Sequence, residues 1–118
     1  SIFSKKRNKE AVYNGRPIDQ ITDLTIERVA GGVLVRATGL AARQGLYDVQ
    51  LVPQNKDELP IDGVLTYRLE GVEPAPQTAI GAAPTREVTV ARALTDQQLA
   101  EVHTIRIEGQ RNALTSRR

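Results

Sequence analysis

The chain has 118 residues, enough for one small domain, with no Cys and a single imidazole, His103. Without thiols and with one His, most metal sites and most covalent or general-base active sites cannot be assembled. The net charge is only +2, but it is unevenly spread: residues 1–16 carry +4 and residues 106–118 carry +3, which leaves −5 for the body between them.

Residues 1–16 read as an extended basic tether, with Lys5, Lys6, Arg7, Lys9 and Arg16 set against Glu10. Ile2 and Phe3 are its only adjacent apolar pair, and Pro17 stops any helix from running through. Leu24–Val29 and Val33–Thr38 are β-rich runs around Ala30-Gly31-Gly32, the signature of a hairpin. Leu46–Val52 is a third strand candidate, with Tyr47, Val49 and Leu51 on one face and Pro53 at its end. Val64–Val72 is a fourth, alternating Leu65, Tyr67 and Leu69 with Thr66, Arg68 and Glu70.

Residues 73–85 are rich in Pro, Ala and Gly and read as a long extended loop. Arg86–Leu94 is a fifth strand candidate. Arg92 falls on the same parity as Val88 and Val90, so either a bulge re-aims it or it sits beyond the buried zone. Thr95-Asp96-Gln97-Gln98 has the form of a capping box, which predicts a short helix over 95–102 with Leu99 and Val102 inward. His103–Glu108 is the sixth strand, with His103, Ile105 and Ile107 on one face. Residues 110–118 read as a basic C-terminal tail whose only apolar residues are Ala113 and Leu114. The expected fold is therefore all-β: a small antiparallel β-sandwich of about six strands over residues 17–109, with one short helix. With few aromatic residues, its core must be built from Val, Leu and Ile.

No run of apolar residues is long enough to span a membrane. His103 lacks a sequence partner for acid–base work and reads as a structural histidine at the core edge. The acidic segment Asp57–Asp62 has no EF-hand spacing and reads as a solvated loop. No phosphate-cradling glycine loop is present, because Gly31-Gly32 belongs to a turn. No catalytic residue, metal ligand or cofactor is expected. Three Tyr and one Phe supply little base stacking, which argues against nucleic acid as the partner.

Strand, short capped helix and strand over residues 86–108 resemble the E-to-F crossover of immunoglobulin-like sandwiches. The paired Cys, core Trp and corner Tyr of antibody-type domains are missing, so only the architecture carries over. Ser1-Ile2-Phe3-Ser4-Lys5-Lys6, followed by a polar run and a small sandwich, is similar to mature bacterial lipoproteins just after their lipidated Cys. That resemblance implies a lipid anchor upstream of Ser1 and a place in the periplasm or at the membrane-anchored cell envelope. The expected function is a non-enzymatic protein-binding or accessory structural subunit of an envelope assembly. Its partner contacts are expected at Ile2, Phe3, Lys5, Lys6, Arg7, Arg117 and Arg118. The alternative is a cytosolic or virion β-domain whose basic arms contact nucleic acid or neighbouring subunits.

Overall fold

The alternation of aliphatic and polar residues is realised as eight strands over residues 12–74 and 86–118, the part of the chain that the computed structural model describes. In chain order they are β1 (Arg16–Pro17), β2 (Gln20–Val29), β3 (Gly32–Leu40), β4 (Tyr47–Pro53), β5 (Val64–Val72), β6 (Glu87–Thr95), β7 (Thr104–Glu108) and β8 (Ala113–Arg117). They form two sheets. In the first, β5 is central: antiparallel β4 lies along one edge, while parallel β7 and then antiparallel β1 occupy the other. β8 extends that sheet beyond β7. In the second, β3 lies between β2 and β6, both antiparallel to it.

The core fills the space between the sheets. Leu51, Leu65, Tyr67, Leu69, Ile105 and Ile107 from the first sheet meet Val33, Val35, Ala37 and Leu94 from the second. Partly buried Leu24, Ile26, Val88, Val90 and Leu114 widen it. The all-β, two-sheet architecture is thus present, and β5 has the expected boundaries. Side-chain parity alone does not set every face. A register shift between Ile21 and Asp23 lets β2 turn both Ile21 and Leu24 toward the core despite their odd spacing. In β4, a second shift and a left-handed Asp48 (φ 50°) turn Tyr47 outward to 56% exposure, although Val49 and Leu51 face inward as expected.

Three further expectations are corrected. The sandwich is not purely antiparallel, because β5 and β7 pair in parallel. Between them the chain visits the opposite sheet as β6, and that crossover returns it in the same direction. The helix predicted over 95–102 is absent: Thr95 ends β6, and residues 96–101 form hydrogen-bonded turns. The capping box closes, with Gln98 N–H donating to Thr95 Oγ1 (3.1 Å) and Thr95 N–H donating to Gln98 Oε1 (2.9 Å). Only Leu99 N–H then reaches back four residues, to Thr95 O (3.1 Å); Ala100 and Val102 reach back three. A single turn is too short to propagate, and burial of Leu99 and Val102 sets its path. Finally, residues 110–118 contain β8, whose backbone pairs with all of β7.

The hairpin between β2 and β3 closes through Ala30 and Gly31, with Gly31 at φ 78° and Gly32 already paired with Val29. A Cβ at Gly32 would overlap the Leu94 carbonyl of β6, whereas one at Gly31 meets open space. Gly31→Ala should therefore cost about 1 kcal/mol, the strain of a left-handed non-glycine residue. Gly32→Ala should cost more, about 2–3 kcal/mol, because backbone must move. Thermal melts of the two variants check the order, and a reversed order would misplace the turn. A chain ending at Gly109 lacks β8 and should lose its cooperative melting transition, read by circular dichroism.

Candidate interaction surface

Of the expected partner contacts, Ile2, Phe3, Lys5, Lys6 and Arg7 lie outside the described residues. The end of the tether is visible from Val12. Tyr13 donates its hydroxyl to the Asp48 carbonyl (2.8 Å), and β1 then pairs with β5. The Tyr13 phenol is pushed up to about 12 by partial burial and by the carboxylates of Glu70 and Asp48. Glu70 is buried on this face, where it accepts a hydrogen bond from Arg68 Nε (2.8 Å).

Arg117 and Arg118 stand at the end of β8. Arg118 turns its guanidinium inward onto the Leu99 and Val102 carbonyls (2.8 and 2.9 Å), and its N–H donates to the His103 carbonyl (2.9 Å). It therefore ties the end of β8 to the turns at 95–102. Across from it, Arg28 stands on the core-facing parity of β2, in register with Val33. Arg28, Arg117, Arg118, Ser116, Ile26 and Val33 together line a cavity of about 340 Å³ at this end of the sandwich.

A second cluster holds the opposite flank. β6 has no register shift against β3, so no bulge re-aims Arg92, and it points between the sheets. Its Nε and Nη2 bind both carboxylate oxygens of Glu58 (3.0 and 2.9 Å), and its Nη1 reaches the Leu51 carbonyl (3.3 Å). The guanidinium lies 5.3 Å from the ring centre of Tyr67, whose hydroxyl donates to Glu58. Burial pushes the Glu58 carboxyl up, but hydrogen bonds from Arg92 and Tyr67 and the Arg92 charge outweigh it and hold it below its ordinary value. Burial and the same carboxylate push the Tyr67 phenol up. The signal for this cluster was present in the sequence: an arginine on the apolar parity of a strand requires a carboxylate.

The acidic segment 57–62 is therefore only partly a solvated loop, since Glu58 is committed to Arg92. Asn55 closes the loop, its side chain bonding both the N–H and the carbonyl of Leu59 (3.0 and 2.8 Å). Among the described residues no group of His, Asp and Glu is arranged to hold a metal ion. His103 is exposed and precedes β7, so it does not share the buried face of Ile105 and Ile107. Both its N–H and that of Thr104 donate to the Gly63 carbonyl (2.7 and 3.1 Å), which fixes the strand start without using the imidazole. Comparison with known proteins found no matching family model, no matching curated protein and no matching solved structure.

Because the Glu58 pKa is lowered in the folded chain, its contribution is complete above the unfolded-state value and fades as pH falls through the folded one. The melting temperature should drop on acidification below about pH 4.5. Glu58→Gln should cost about 1–3 kcal/mol at neutral pH and flatten that acid limb. A variant with an unchanged acid limb would show that Glu58 does not carry the dependence.

Proposed function

We propose that this chain is a non-enzymatic, protein-binding domain, an accessory or structural subunit of a bacterial cell-envelope assembly, held near the membrane by its N-terminal tether. The observation that carries the reading is the state of the sheet edges. Among the described residues, β1, β4 and β8 are terminal in one sheet and β2 and β6 in the other, each laddered to a single strand, with the Asn112 amide already occupying Ile21 on β2. Such edges accept an extended segment of another protein through main-chain hydrogen bonds, with no catalytic group needed. Leu59 and Ile61 add apolar contact area on the loop after β4, each 58% exposed. The passage from β6 through the capped turns to β7 in the other sheet supports the immunoglobulin-like reading of the architecture, from which the parallel β5–β7 pair departs.

A photocrosslinking residue in place of Leu59, in the full chain expressed in its native cells, tests this. The expected result is a discrete protein adduct in the envelope fraction. Recovery of the chain and its adducts only from cytoplasm would overturn the envelope assignment. Adducts with nucleic acid, or none with protein, would overturn the protein-binding assignment.

A further inference from the structure

The cavity between the ends of β2 and β8 gathers positive charge that the chain does not neutralise. Arg36, Arg68, Arg92, Arg106 and Arg111 each have a carboxylate within 3.5 Å. The Arg28 side chain has neither an ion-pair nor a hydrogen-bond partner among the described residues. Arg118 is fixed on two neutral carbonyls, so its charge stays uncompensated. No Asp or Glu lines the cavity. Register with β7 turns Arg117 to the outer face of β8, so Arg28 and Arg118 carry the charge at this concavity, and an anion placed beside them offsets it.

The remaining walls narrow the choice of anion. Ile26 and Val33 make an aliphatic floor, and Ser116 adds a hydroxyl. A cavity of about 340 Å³ admits one or two side chains, not a duplex groove. Guanidinium forks match a planar carboxylate in bidentate fashion, and the floor suits an aliphatic neighbour of that carboxylate. The unpaired edges of β2 and β8 lie on either side. We propose that this notch binds a carboxylate side chain within an acidic, aliphatic segment of a protein partner. The proposal rests on the protein-binding reading above and names the chemistry of the partner.

The probe is a labelled, capped peptide of alternating Glu and Leu, titrated into the full chain and followed by fluorescence anisotropy. Arg28→Gln should weaken binding about fivefold, and the same peptide with Gln for Glu should bind at least about tenfold more weakly. Arg16→Gln removes the same charge at β1, away from the notch, and should leave affinity unchanged. Equal weakening by Arg16→Gln would reduce the effect to diffuse electrostatics and overturn the site. Absence of binding, or equal binding of the Gln peptide, would overturn it as well. Tighter binding of inorganic phosphate or duplex DNA, sensitive to Arg28→Gln, would overturn the carboxylate assignment. Arg118 is left intact because it holds the turns at 95–102. A notch that behaves as expected while the chain and its position-59 adducts are recovered only from cytoplasm would sink the envelope assignment alone.

Discussion

An arginine in the middle of an aliphatic strand sets the terms for one whole flank of this sandwich. Arg92 enters between the sheets with the unbroken register of β6, where its half-buried guanidinium loses part of its hydration and needs a partner. Its charge is met by Glu58, which the chain can deliver only by folding the loop after β4 back across the gap. Glu58 itself adopts a left-handed backbone (φ 55°) to do so. Tyr67 supplies both a face for the cation and a hydroxyl for the carboxylate, and the Leu51 carbonyl takes a further donor. Strand β6 is thus joined to the paired β4 and β5 of the other sheet by polar contacts, where no backbone ladder runs between the sheets.

The opposite flank is closed by a different device. Asn112, in the turn between β7 and β8, accepts the Ile21 N–H and donates to the Ile21 carbonyl (2.7 and 2.9 Å). Gln110 and Arg111 donate their N–H groups to the carbonyls of Ile18 and Asp19 beside it. A side-chain amide mimics a strand residue, and β2 is fastened to the other sheet at one end only. Farther along, Ile26 and Arg28 face Ser116 and Arg118 across the arginine-lined cavity. A core made almost wholly of branched aliphatic residues is therefore sealed at its sides by polar clasps.

The features legible in the sequence were those with local causes. The β2–β3 hairpin has its glycines, β5 has strict alternation, and the Thr95–Gln98 box closes as its spacing demands. What escaped has causes distant in the chain. β8 offers one strong apolar residue, Leu114, and draws its stability from pairing with β7, so it reads as a tail when viewed alone. The parallel register of β5 and β7 leaves no local trace in either strand. Glu58 and Arg92 are 34 residues apart, and only the inward parity of Arg92 hinted at the ion pair. Arg28 carried the same hint, standing on the parity of Leu24 and Ile26, and it marks the cavity that the tail arginines share. The first eleven residues, which hold most of the expected partner contacts, lie outside the described part.

The Asn112 clasp joins residues 91 positions apart, and the parallel pair β5–β7 is separated in the chain by β6 of the other sheet. Closure of such long loops is entropically slow, and contacts of this separation dominate the time a small β-domain takes to fold. The order of synthesis adds to this delay. Strand β2 precedes β3 to β8, and its direct clasp to the first sheet waits for residue 112 to follow. A nascent chain therefore carries an unsealed aliphatic face until those late residues arrive, exposed to whatever holds unfolded chains.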